Sequence, residues 1–391
     1  MVVAKGYKQT EVGVIPEDWE VMSIDEVFDF YSTANFSKAQ MKFDGEVGCL
    51  HYGLIHAIPN SSYNLQNGVK YFVDKKQTKY ELLKEGDVIM VDASEDLLGV
   101  NKSVEISGVG DALFIAGLHT FLLRDKGFYQ PNFRGAILNS YLTKSQMLRL
   151  AVGMKVFGVS KPQLKTILLP LPPLHEQTAI ANALSDMDAL IAQTEKLIEK
   201  KKAIKQGVMQ ELLKPKEGWV TKKLGEVCEI KKGQLITDST RVNGDIPVIA
   251  GGKTPAYYHN KANRTGNIIT ISGSGANAGY VSFYEHPIFA SDCSTISNSD
   301  KYNVEFIFYW FQLNQSLVYS LQTGGAQPHI HPSDLNPLEI FIPSIEIQNQ
   351  IATIFRELQK ELNKLETKLQ KLKNQKQGMM QALLTGKIRL V

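Results

Sequence analysis

A chain of 391 residues exceeds one ordinary core, since domains usually hold ~100 to 200 residues, so two or three domains are expected. At 43% hydrophobic and 21% charged residues it lies near the globular average, which excludes wholesale disorder, collagen-like repetition and membrane classes. A net charge of +3 permits an acidic partner without requiring one, because strong nucleic-acid binders concentrate more basic charge on the binding face.

In chain order, the opening MVVAKGYKQTEVGVIPEDW lacks the apolar centre of a secretory signal. No apolar run reaches the ~18 to 20 residues that cross a bilayer, so a cytoplasmic location without membrane contact is expected. Residues 20 to 170 read as short strands and turns, with KYFV, GDVIMVDA and HTFLLR among them, and residues 133 to 153 carry helical apolar spacing before a glycine stop. A proline-containing start at Leu171 then opens a run of roughly forty residues without proline, which favours one long helix. Its Ile180, Leu184, Met187, Ile191, Ile198, Val208 and Leu212 keep a coiled-coil register that Thr194, Lys201 and Lys205 weaken. The basic run at Lys200 to Lys202 reads as a solvated face, partly neutralised by Glu195 and Glu199, with phosphate binding the less common alternative.

Residues 220 to 341 return to strands, NIITIS, GYVSFY and TISNS, with helical spacing over residues 304 to 324. A second long run follows from Ile342, and Ile351, Phe355, Leu358, Leu362, Leu365, Leu369, Leu372, Met379 and Leu383 alternate by fours and threes, with Lys376 filling one seam position. A helix of forty residues spans ~60 Å. It cannot bury such a stripe alone, so antiparallel pairing of the two long helices is expected, which would bring Val391 near the N-terminal segment. Homo-oligomeric pairing of each helix is the alternative.

The chain repeats itself. LPPLHEQTAIANALSDMDALIAQTEKLIEKKKAIKQGVMQELLKPK matches IPSIEIQNQIATIFRELQKELNKLETKLQKLKNQKQGMMQALLTGK at a constant offset of 171. Gln177 and Ile180 recur as Gln348 and Ile351, and KQGVMQELL recurs as KQGMMQALL. EDWEVMSIDEVFDF, with Trp19, resembles EGWVTKKLGEVCEI, with Trp219, at an offset of 200, so the first intervening segment is 29 residues longer than the second. The fold expected is α+β: two similar domains separated by two long antiparallel coiled-coil helices, an internal repeat with pseudo-two-fold symmetry. The first domain with its N-terminal segment takes residues 1–171, the first helix 172–214, the second domain 215–342, the second helix 343–385 and a tail 386–391. Gln177, Ile180, Gly207, Gln348, Ile351 and Gly378 are candidates for helix or partner contact. Each helical glycine costs ~1 kcal/mol against alanine, so close packing against another backbone or protein is expected at Gly207 and Gly378.

Several motifs dissolve on inspection. NIITISGSGANAG resembles a dinucleotide or S-adenosylmethionine loop, yet its glycine spacing is wrong and GYVSFY continues as a strand, so a tight turn is expected. His329, His331, His286 and Cys293 match no zinc signature, so no metal is expected. Cys49, Cys228 and Cys293 form no C-x-x-C pair and read as buried thiols. There is no phosphate-loop, H-E-x-x-H or G-x-S-x-G motif, and Asn336-Pro337 lacks the sequence that holds a flipped adenine in amino-methyltransferases. No catalytic residue and no cofactor are therefore assigned to this chain.

The arrangement resembles the specificity subunit of type I restriction–modification enzymes over nearly the whole chain. IPEDWEVMSIDEVF, PPLHEQTAIA, PSIEIQNQIA, the paired KQG ends, LLTGKIRLV, LHYGLIH, GLHTFLLR, GMKVFGVSKPQL, GGAQPHIHPSDL and FIPSIEIQ carry the resemblance. IEIQNQ departs from the Pro-Pro, Glu-Gln pattern. The resemblance implies two target-recognition domains that each read half of a split double-stranded DNA sequence, with the helices as a ruler for the spacer. It also implies two adenine-methyltransferase subunits that carry S-adenosylmethionine and flip the base, and restriction subunits that use ATP and magnesium. Base reading is expected in polar and aromatic loops: Tyr31, Asn35, Lys38, Tyr52, Asn60, Asn101, Lys102 and Lys155 in the first domain. In the second the candidates are Lys253, Tyr257, Tyr258, Arg264, Ser274, Asn277, Gln327, His329 and His331. The rivals are a coiled-coil scaffold that binds only proteins, and a standalone methyltransferase built on the Gly273 loop.

Overall fold

Each globular domain is pinned by a strand pair that joins its first residues to its last. Glu20–Ser23 pairs antiparallel with Leu168–Leu171, and Val220–Lys223 with Glu339–Ile342. The computed structural model in which these pairs are seen describes residues 4–77, 79–153, 155–237, 239–240 and 242–390. It divides into two units, Met1–Thr194 with Lys368–Val391, and Glu195–Thr367, so each long helix contributes one half to each unit.

In the first unit a mixed five-stranded sheet runs in the order Phe28–Tyr31, Thr120–Asp125, Val88–Val91, Ser103–Ser107, Ser62–Asn64. A second sheet orders Leu113–Ala116, Val47–Leu50 and Phe72–Val73, the first two strands parallel. The second unit repeats the plan: Lys231–Lys232, Cys293–Ser297, Ile268–Ser272 and Val281–Tyr284 form one sheet, and Tyr257–His259, Ile246–Ile249 and Phe289–Ala290 the other, again with one parallel pair. The additional residues of the first domain fall largely between Leu50 and Val88, where the second domain needs only the stretch from Ile249 to Ile268. VIMV and IITIS are buried at every position, Thr270 and Ser272 included, as strands covered on both faces require.

The single helical stretch expected in each domain is a pair. Arg134–Leu138 and Tyr141–Leu150 are separated at Asn139, whose side chain binds the carbonyls of Gly135 and Ser103, and Ser140 then caps the next helix by accepting from the Thr143 N–H. Val304–Leu313 and Gln315–Ser320 break likewise at Asn314, whose amide binds the Trp310 carbonyl. Short polar side chains that bond to nearby backbone compete with helix continuation.

The long helices are Leu174–Leu212 and Ile345–Leu383. Within the first unit Ile180, Ala181 and Leu184 pack in one core with Leu383 and Leu384; within the second Met209 and Leu213 pack with Ile351 and Phe355. Both halves are therefore antiparallel pairs. The polar seam positions have partners: Lys376 meets Asp188, Lys201 meets Glu361 at 2.6 Å, and Lys205 donates to Gln359 at 2.6 Å. Lys202 pairs with Glu366 at 2.8 Å, so this part of the basic run serves the partner helix. Val391 lies outside the described residues, but the tail before it reaches the N-terminal segment: Tyr7 donates to the Gly386 carbonyl at 2.9 Å and Arg389 bridges Asp18 and Glu176. All three cysteines are free and buried, and burial pushes their thiols up, Cys49 to about 11 and the others to about 12.

Lys144 is the clearest internal titrant. Its Nζ donates to the Val100 carbonyl at 2.7 Å, and burial, with Lys102 nearby, pushes its ammonium down to about 7. The unfolded lysine keeps its proton up to its ordinary value near 10.5, so above about pH 7 the unfolded state binds more protons and stability rises with pH. Urea midpoints taken from pH 7 to 8.5 should rise in the parent relative to Lys144→Met; parallel profiles would contradict this assignment.

Candidate nucleic-acid interface

In the second domain Ile268–Ser272 returns antiparallel as Val281–Tyr284. The glycine-rich segment between them is thus the expected turn, with Gly275 and Gly279 at φ +78° and +82°, a region that glycine enters without steric cost. A Cβ at Gly279 would come within 2.7 Å of Ile330. The turn is bound to the loop before Pro332: Gly275 N–H donates to the Pro328 carbonyl and Ile330 N–H to the Gly273 carbonyl, both at 3.0 Å, and Ser274 forms a bridge with His329. This brings Ser274, Asn277, Gln327, His329 and His331 together, with the two histidine rings stacked at 6.2 Å. Gly251 backs onto Ser274, where a Cβ would lie 2.6 Å from its carbonyl, and places Lys253 at the same edge, its Nζ 5.2 Å from the Tyr280 ring centre. Lys253, Gln327 and His331 are exposed.

The first domain builds the same place from different residues. Val88–Val91 ends at Asp92, and Ala93–Ser94 pairs with Phe157–Gly158, just after the exposed Lys155. Tyr52 sits among three rings, His51 at 4.2 Å, His119 at 5.6 Å and His56 at 6.2 Å. Burial lowers the basicity of His51 and His56, and raises the Asp92 carboxyl against the opposing charge of His119. Sequence reasoning missed His51, His56, Asp92, His119 and Asp292. Three of these histidines were on view in LHYGLIH and GLHTFLLR, but only the sheet register brings them together.

Several expected readers serve the fold. Asn101 is fully buried at φ +55°, its amide bound to the Val91 carbonyl. Lys102 donates to the carbonyls of His56 and Ile58, fastening the end of the helix Tyr52–Ala57. Arg264 spends three donors on Thr295 and the carbonyls of Asn263 and Lys232. These three are corrected to structural roles, because the donors named are engaged inside the domain, although Asn101 Oδ1 is buried without a hydrogen-bond partner among the described residues. Asn60 accepts from Lys376 at 3.2 Å, Tyr31 lies under the Arg124 guanidinium at 4.6 Å, and Tyr257 donates to the Ile236 carbonyl. Asn35, which accepts from Tyr80, stays exposed together with Lys38 and Tyr258.

Gln177 and Gln348 fasten each domain to a helix. Buried Gln177 accepts from the Gln130 N–H at 2.8 Å and donates to the Pro172 and Phe128 carbonyls; Gln348 accepts from the Asn303 N–H at 2.9 Å and donates to the Pro343 carbonyl. Ile180 and Ile351 are buried in the two cores. Among the described residues nothing packs against Gly207 or Gly378: both are exposed, and a Cβ on either would meet nothing within 4 Å.

Among the described residues no group of three or more His, Cys, Asp or Glu is placed to hold a metal ion, and no helix is long and apolar enough to cross a membrane. Residues 16–203 and 216–374 match the family model of the type I restriction modification DNA specificity domain. The chain belongs to this family. Its two domains are tandem copies of the specificity domain. The type I restriction enzyme MjaVIII specificity subunit of Methanocaldococcus jannaschii is 25% identical, over 96% of this chain and 94% of its own. A second sequence from that organism, named for the MjaX specificity subunit, is 25% identical over 99% of this chain and 97% of its own. The S subunit of M. genitalium shares the fold at a TM-score of 0.61 with 17% identity, over 93% of this chain and 96% of that one. A chain from a study of complex assembly in the type I R-M system shares it at 0.57 with 18% identity, over 96% and 99%.

Proposed function

We propose that each specificity domain reads one half of a bipartite double-stranded DNA target and that the paired helices set the unspecified spacer between the halves. Two methyltransferase subunits and the restriction subunits are the partners. They bind S-adenosylmethionine, ATP and magnesium and carry out adenine methylation and cleavage, while this chain is non-catalytic. The observation that carries the reading is duplication of one polar surface, a strand end and turn fastened to the loop before a short helix, in two tandem copies of a DNA specificity domain. Loops that present polar groups from a rigid sheet edge suit base recognition, which needs donors and acceptors aimed at groove edges. A helix of 39 residues, ~60 Å long, is on the scale of the ~34 to 36 Å that separates successive turns of DNA.

The experiment is a map of N6-methyladenine in host DNA when this chain is co-expressed with its cognate methyltransferase subunit. The expected result is one split motif with a fixed gap.

A further inference from the structure

The two domains differ in chemistry where their backbones correspond. In the first, the ladder pair Thr120↔Val91 is followed by a bond from Asp92 N–H to the His119 carbonyl at 3.2 Å. In the second, Cys293↔Ser272 is followed by a bond from Gly273 N–H to the Asp292 carbonyl at 3.0 Å. His119 therefore stands where Asp292 stands, and Asp92 where Gly273 stands.

Both places hold one carboxylate, but on opposite strands. In the first domain Asp92 faces Nδ1 of His119 at 3.3 Å, and the histidine side chain is 51% exposed, its ring edge-on to Tyr52. His119 adopts φ +56°, a left-handed conformation uncommon for residues other than glycine but enriched in asparagine, aspartate and histidine, which sets the direction of its Cα–Cβ bond. In the second domain Asp292 accepts from the Ser274 hydroxyl, and a Cβ on Gly273 would lie 2.8 Å from its Oδ1. The carboxylate thus lies against the strand position that carries a side chain in the first domain. One domain presents an imidazole backed by a carboxylate, and the other presents the carboxylate itself, beside Ser274 and His329.

We propose that this shared place is a base-reading position in both half-sites, read by His119 in the first domain and by Asp292 in the second. The inference rests on the DNA-reading function proposed above and extends it to residues and base classes. A carboxylate only accepts, which suits the exocyclic amino group of cytosine or adenine; a histidine ring with Nδ1 turned to a carboxylate donates from Nε2–H in its imidazolium form, which suits O6 or N7 of guanine. The exchange of ring for carboxylate gives the half-sites different preferences at corresponding positions.

The test uses the full chain assembled with its methyltransferase subunit. Methylation rates are compared on duplexes that carry each of the four base pairs at every position of the motif, for the parent, His119→Asn and Asp292→Asn. Asparagine tolerates the left-handed backbone at 119 and keeps the shape at 292. His119→Asn should reduce discrimination roughly 5- to 150-fold at one base pair of one half-site and leave the other half-site unchanged, and Asp292→Asn should do the reverse. His119→Gly, which also suits the backbone, replaces His119→Asn if that variant melts early. Unchanged discrimination in both variants, or an equal loss of rate on every duplex by folded protein, would overturn the proposal. A parent complex without base preference would instead defeat the underlying reading.

Discussion

Replacing Arg389 by methionine should destabilise the first unit by about 3 kcal/mol, the lower end of the ~3 to 5 kcal/mol seen when one partner of a buried ion pair is removed. Glu176 is fully buried, and its carboxylate accepts from Arg389 Nε at 2.6 Å, Arg389 Nη2 at 2.8 Å and Trp19 Nε1 at 2.8 Å. Without the guanidinium the charge keeps one neutral donor in a site closed to water. The lower end applies because the arginine side chain is itself 24% exposed. Urea unfolding followed by circular dichroism should show the loss, and Glu176→Gln combined with Arg389→Met should recover part of it, because no buried charge remains. A single variant within experimental error of the parent would contradict the clasp. Acid supplies a further check. The hydrogen bond from Arg389 holds Asp18 below its ordinary carboxylate range. A depressed folded value contributes stability above the unfolded value of ~4 that is lost as pH falls through the folded one, so the difference between parent and variant should narrow below about pH 4.

Phe355→Ala should cost the second unit about 3 to 5 kcal/mol, the usual range for emptying a buried phenylalanine site. Its side chain is fully buried, its ring lies 4.5 Å from Tyr309, and its core includes Met209, Leu213, Trp310 and Ile351. One residue earlier on the same helix, Ile354 is 43% exposed, and Ile354→Ala should change stability by no more than ~0.5 kcal/mol. The contrast isolates packing from helix propensity, since both replacements install alanine. Equal losses in urea unfolding would show that the helix, and not the seam, sets the cost.

Much of this architecture was legible because it is written twice. Gln177 and Gln348 recur at one offset, and in the fold they do the same work, each tying a domain backbone to the start of a long helix. The seam pattern gave the antiparallel pairing, and even its lysines proved compatible once Asp188, Glu361 and Gln359 supplied partners across the pair. The surface was less legible for a physical reason. A polar residue in a strand-rich segment can face water or satisfy backbone groups, and the sequence does not separate the two: Asn101 and Arg264 read like contact residues, yet their donors meet carbonyls and a hydroxyl inside the domains. The correspondence of His119 with Asp292 depends on strand register, a non-local property, and the two segments share no residue that would announce it.

The most direct measurement is the N6-methyladenine map of DNA from a host expressing this chain with its cognate methyltransferase subunit, read beside a host expressing the methyltransferase subunit alone. Two different half-sites at a constant spacing, present only when this chain is present, are what the account predicts. An assembled, cofactor-loaded complex that leaves no common motif would contradict it and favour a scaffold that binds only proteins.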